Sequence, residues 1–193
     1  LGRIETAIAV ANEVYSNSGA LTQLRLAHAY YEPGFVEDRT KANTNMLSDA
    51  LNALSTLNTA GNTLYQHRDT YGGDLVAIFV ERTDIGSTAG KANRPGIYSA
   101  TGQDTYSGTV FAHEIGHNFG CRHDRVENNA CSDTVNTNYG WVDPAGEFRD
   151  VMAYSCSGKN NCDGVPYAGS CPEVLQVSNA VNVHMWPYST EGG

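Results

Sequence analysis

The run His113-Glu114-Ile115-Gly116-His117-Asn118-Phe119-Gly120-Cys121-Arg122-His123-Asp124 has the form H-E-x-x-H-x-x-G-x-x-H-D. It offers three imidazoles, a carboxylate beside the first and a glycine before the third. On a helix, residues four apart lie one turn above each other, so His113 and His117 can reach one ion. Glu114 lies about 100° around the helix from His113 and suits a water near that ion better than a ligand position. Gly120 allows the chain to leave the helix through positive φ, and the turn can return His123 to the same ion. Three neutral imidazoles and an open fourth position describe a catalytic zinc site, not a closed structural one. The chemistry this suggests is hydrolysis: water acidified by zinc, with Glu114 as general base and then general acid.

The remaining histidines, His28, His67 and His184, have no ligand spacing and read as packing or surface residues. Five cysteines, Cys121, Cys131, Cys156, Cys162 and Cys171, all follow the zinc helix. No C-x-x-C pair occurs among them, so disulfides in an oxidising compartment are the better reading than a second zinc site. Two bridges leave one thiol over. The short-loop scheme pairs Cys121 with Cys131 and Cys156 with Cys162, leaving Cys171.

The motif resembles that of the metzincin zinc endopeptidases. Val151-Met152-Ala153-Tyr154, with Met152 29 residues after His123, looks like their Met-turn. The resemblance implies that Met152 forms an apolar floor beneath the zinc histidines without binding the metal. Asp124, directly after the third histidine, resembles the adamalysin or reprolysin branch. Its implied role is to accept hydrogen bonds and fix the turn that carries His123. The Met-x-Tyr spacing departs from that branch and matches astacins and serralysins, whose tyrosine can stabilise an oxyanion. Tyr154 therefore reads either as that group or as a packed tyrosine. Arg3-Ile4-Glu5-Thr6-Ala7-Ile8, Asn17-Ser18-Gly19 and Leu24-Arg25-Leu26-Ala27-His28 are similar to secreted bacterial proteases of the peptidyl-Asp metalloendopeptidase type. That similarity implies cleavage N-terminal to aspartate, and a cation in the substrate pocket. Lys159 and Arg149 are the nearest candidates in sequence, each with a solvated surface charge as its alternative.

Positioning these groups requires a scaffold, and 193 residues suit one catalytic domain, with an upper part over about 1–118 and a lower part over about 119–193. The expected fold is α/β: a metzincin-like mixed sheet with an edge strand, an active-site helix, and a small C-terminal subdomain with the Met-turn and a final helix. Apolar spacing predicts helices over 3–17 and 44–58, the second continuing after a break at Gly61 to about His67. Alternation predicts a strand over 22–31, and the run Leu75–Val80 a buried strand after a turn at Gly72-Gly73. Residues 86–100 hold either an edge strand, open to main-chain pairing with a substrate, or a surface loop. The zinc helix is expected over 106–118 and a last helix over 172–184. Adamalysin-like proteins place a strand before the first helix; here residue 3 already reads as helical, so either the sheet lacks that strand and has an unpaired edge, or residues precede Leu1.

The net charge of −9, with twelve Lys and Arg scattered along the chain, argues against nucleic acid and anionic membranes as partners. No apolar stretch approaches membrane-spanning length. No signal peptide opens the chain, as expected once a secreted protease has lost its leader and propeptide. The reading is a secreted, monomeric zinc endopeptidase acting on protein or peptide. The alternative is a secreted zinc-containing module that binds glycoproteins without cutting them. On calcium the sequence is silent.

Overall fold

The computed structural model describes residues 2–81, 86–102 and 109–178. The first helix, α1 (Gly2–Asn17), buries Ala7, Ala11, Val14 and Tyr15, a stripe at three- and four-residue steps. It stops where Gly19 adopts a φ of +70°. The chain forms two compact units: residues up to Ala11 together with Leu24–Phe119, and Asn12–Gln23 together with the residues from Gly120 on. Compared with a single division near 118, the end of α1 and the following turn therefore join the second unit. The reason is local bonding. Asn17 Nδ2 donates to the Leu175 carbonyl, and Ser18 Oγ accepts from Val177 N at 2.7 Å.

The first unit is built on periodic apolar faces. Helix α2 (Asn43–Leu57) sets Met46, Leu47 and Ala50 against Val80 and Ala100, with Phe35 and Ile78 packed beside them. Helix α3 (Thr63–Tyr71) ends on Gly72, whose left-handed conformation (φ +64°) closes the helix without a Cβ penalty. The sheet is mixed. Strand β1 (Val76–Val80) runs parallel to β3 (Tyr98–Gly102), and β2 (Gly90–Ala92) pairs antiparallel on the other side of β3. Helix α4 (Val110–Asn118) follows. It begins at Val110; residues 106–108 of the expected zinc helix lie outside the described residues.

One expectation fails in this unit. Residues 22–31 form no strand, although Leu24 and Leu26 are half-buried between exposed neighbours as alternation requires. Alternating burial marks an extended backbone but does not supply a partner strand. Here the rings do the packing: His28 stacks on Tyr71 at 4.1 Å and lies 4.5 Å from His67, and Tyr30 lies 4.4 Å from His67. His184 is outside the described residues.

The second unit has little regular structure. Strands β4 (Arg122–Asp124) and β5 (Tyr139–Gly140) form a short parallel pair. Elsewhere polar side chains satisfy the backbone, as buried amides and carbonyls require. The Arg125 guanidinium donates to the carbonyls of Ala130, Asp133 and Asn136 and lies over the Tyr139 ring. Buried Asp150 accepts from Met152 N and Ala153 N through Oδ1 and from Ser178 N through Oδ2.

Two expectations are corrected here. The disulfides are Cys131–Cys162 and Cys156–Cys171, so the short-loop scheme is wrong and Cys121, not Cys171, is the thiol outside them. Bridges follow the Cα separations that folding creates, 5.3 Å and 5.8 Å here, not the nearness of cysteines in sequence. The last helix does not begin at 172, since residues 172–178 are irregular. Their backbone groups are taken by residues 149–151: Arg149 N donates to Pro172 O, Val174 N to Arg149 O, and Val151 N to Gln176 O. Residues 179–184 of that expected helix lie outside the described residues.

Candidate metal centre

Helix α4 puts His113 and His117 one turn apart, their ring centroids 4.6 Å from each other and their planes perpendicular. The helix closes at Phe119, and Gly120 takes a φ of +97° with open space where a Cβ would stand. The glycine is therefore needed for its backbone angle, not for room. The next residues enter β4, which carries His123. One ligating atom from each of His113, His117 and His123 lies within 4.8 Å of the others, and these three are the metal-competent cluster among the described residues.

The donor set tests which ion would fit. Three imidazoles without a carboxylate or thiolate suit zinc and disfavour calcium or magnesium, which prefer oxygen. Glu114 adds a second observation. Its side chain is buried, and Oε2 has no hydrogen-bond partner among the described residues. Burial pushes its carboxyl up to about 8, while Lys91 pulls the other way. An orphaned carboxylate oxygen in the turn that presents two imidazoles is what a nearby cation and its water would satisfy.

Around His123 the chain is pinned by Asp124. Its Oδ1 accepts from Glu127 N at 3.0 Å and its Oδ2 from Tyr154 N at 3.1 Å, so one buried carboxylate ties the turn after His123 to the chain at Tyr154. Tyr154 packs its ring 4.2 Å from that of His123 and is half-exposed. Met152 is fully buried in a turn in which Ala153 N donates to Asp150 O. A Cβ at Gly140 would lie 2.7 Å from the Met152 and Ala153 backbone, so β5 passes directly against this turn.

The two candidate pocket cations are both paired. Arg149 bonds Glu173 at 2.7 Å and donates to the Ala153 carbonyl at 2.7 Å. Lys159 bonds Glu127 at 2.9 Å and lies 5.4 Å from the centre of the Tyr154 ring. Burial pushes the Cys121 thiol up, as does Asp150, which makes it a poor nucleophile.

Sequence reasoning missed Gly90 and Asp150. A Cβ at Gly90 would lie 2.5 Å from Glu114 Oε1 and 2.8 Å from Cδ, so a side chain there would displace this carboxylate from its place under β2. The available signal was a glycine at the start of a strand, where it can mark close approach. For Asp150 it was an aspartate two residues before Met152, at the start of a turn.

Residues 1–124 match the family model described as metallo-peptidase family M12B, reprolysin-like, and residues 80–171 match a second model of the same description. The chain belongs to the reprolysin-like M12B metallopeptidases. The family is zinc-dependent and acts on peptide bonds, in agreement with a donor set of three imidazoles. A search of curated proteins found no match to this M12B chain. A solved structure titled as a chaperone–substrate complex is similar in fold, with a TM-score of 0.53 and 19% identity over 90% of this chain. The M12B chain spans 32% of that chain's length.

Proposed function

We propose that this M12B chain is the catalytic part of a secreted zinc endopeptidase that cuts internal bonds of protein or peptide substrates. The observation that carries the reading is the convergence of His113, His117 and His123 beside a buried Glu114 oxygen that has no partner among the described residues. The three histidines would hold zinc, which when bound supplies Lewis acidity and an acidified water. Glu114 then acts at Oε2: it takes the proton of the attacking water and returns it to the leaving amine nitrogen. Gly120 and Asp124 fix the turn that presents His123. Met152 serves as the apolar floor of the histidine cluster.

Tyr154 is proposed to donate its phenol to the developing oxyanion, a reading supported by its ring lying against His123. A substrate is proposed to extend the sheet along β2, which among the described residues pairs only with β3. For cleavage N-terminal to aspartate, Lys159 is the better recognition cation. Its ammonium lies near Tyr154 and is bonded to Glu127 alone among the described residues, whereas Arg149 is held by both Glu173 and the Ala153 carbonyl. Secretion is supported by two disulfides, which persist in oxidising compartments. No helix of the described residues is long and apolar enough to cross a membrane.

The test is casein hydrolysis with and without a zinc chelator. Hydrolysis that the chelator abolishes and zinc restores is the expected result. Absence of chelator-sensitive hydrolysis would favour the glycoprotein-binding alternative. Cleavage-site profiling on a peptide library then tests specificity, and an apolar preference would remove the aspartate reading.

A further inference from the structure

A buried polar seam lies in the first unit where α4 packs on the β2–β3 hairpin. Strand alternation divides the residues of β3 between two faces. Ala100 faces the α2 core, and Lys91, its register partner, bonds Ser48 of α2 at 2.8 Å. Ser99 and Thr101 therefore project from the opposite face. Thr101 is in register with Phe79 on β1 and with Gly90 on β2, and register partners share a face.

Those two partners locate Thr101 against α4. Phe79 meets Phe111, with ring centroids 5.5 Å apart, and Gly90 meets the Glu114 carboxyl. Phe111 and Glu114 are three residues apart, one turn along the same helix face. The register therefore sets Thr101 on the strand face that meets α4, between the residues that make these two contacts. Both groups are buried, and neither Thr101 Oγ1 nor Glu114 Oε2 has a hydrogen-bond partner among the described residues. One is a donor and the other an acceptor. Valine has nearly the same shape and suits a strand at least as well, so a fully buried hydroxyl at this position carries a desolvation cost that only a hydrogen bond repays.

We propose that Thr101 is a positioning residue for the reaction: its hydroxyl donates to the Glu114 carboxylate, directly or through one buried water. It holds that carboxylate in a single orientation while the remaining lone pairs receive the proton. Gly90 supplies the space and Thr101 the restraint. The inference rests on the hydrolase reading above.

Two measurements test it. The first compares casein turnover by the zinc-loaded wild type, Thr101→Val and Thr101→Ser. Thr101→Val should lower kcat about tenfold to a hundredfold with KM and zinc content unchanged, and Thr101→Ser should restore most of it. A valine variant with wild-type kcat overturns the inference and leaves the hydrolase reading standing. An inactive wild type overturns the hydrolase reading, and this inference with it. The second is a crystal structure of the metal-free wild type, which does not depend on activity or on the folding of any variant. Thr101 Oγ1 should lie within about 3.2 Å of the Glu114 carboxylate, or of one water that also bonds it. Neither arrangement being present overturns the proposal.

Discussion

The two units reach a fixed structure by different means. The first, which carries α2, the sheet and α4, relies on apolar faces at helix and strand periods: Met46, Leu47 and Ala50 against Val80 and Ala100. The second has only two short strands among its described residues and relies on two disulfides, on Arg125 collecting loop carbonyls, and on the buried carboxylates Asp124 and Asp150. Periodic burial stabilises many residues through one shared core. Point attachments each hold one crossing of the chain, so that each is specific and separately breakable.

If this contrast is right, reduction should separate the units. The two disulfides close loops of 31 and 15 residues, which by chain entropy contribute together on the order of 7 kcal/mol. That is a large share of an ordinary domain's stability. Limited proteolysis after reduction should cut first between Gly120 and Ser178 and later within 24–118. First cuts in α2 or the sheet would mean that the disulfides are not what holds the second unit.

The next largest effect belongs to the first unit. Leu47 is fully buried in the α2 core, and Leu47→Ala should lower stability by about 2–5 kcal/mol in urea titration. A loss below about 1 kcal/mol would mean that this core is not what holds the unit.

Asp150 makes the second unit sensitive to pH. Burial pushes its carboxyl up to about 6, against the bonds from Ser178 and Ala153. The unfolded chain releases this proton near pH 4, so the folded protein holds it more tightly. Stability from this group is present below about pH 4 and is lost as pH rises to about 6, a difference of about 3 kcal/mol. Urea midpoints at about pH 4 and 7 should show that loss in the wild type and a smaller one in Asp150→Asn. Equal pH dependence in both would assign it to other groups.

The smallest effect is at the rim of the site. Tyr154→Phe should keep the fold and reduce kcat about tenfold or more, through loss of one donor to the oxyanion. Unchanged turnover would make Tyr154 a packing residue.

Legibility in the sequence follows the same division. The stripe Met46, Leu47, Ala50, the apolar run ending at Val80 and the four-residue step from His113 to His117 each repeat at the period of the element that bears them. Their elements stand within a few residues of where spacing alone puts them. The three-histidine cluster was legible because its ligands sit in one short stretch with a glycine at its turn. Residues 172–178 misled because Val174, Leu175 and Val177 fit helical spacing, while their backbone bonds go to 149–151, which no local pattern reveals. The cysteines misled likewise, since Cys131 meets Cys162 only after the loops between them fold. Gly90 beneath Glu114 depends on how β2 lies across α4, a tertiary fact.

In the proposed reaction His113, His117 and His123 hold zinc and Glu114 moves the proton. Its most direct test is zinc content and casein turnover of Glu114→Ala measured beside the wild type. Both proteins should carry one zinc per chain, and the variant should be slower by about 10²–10⁴-fold. A variant that turns over casein as the wild type does would remove Glu114 from the reaction, and a wild type that retains no zinc would remove the metal centre.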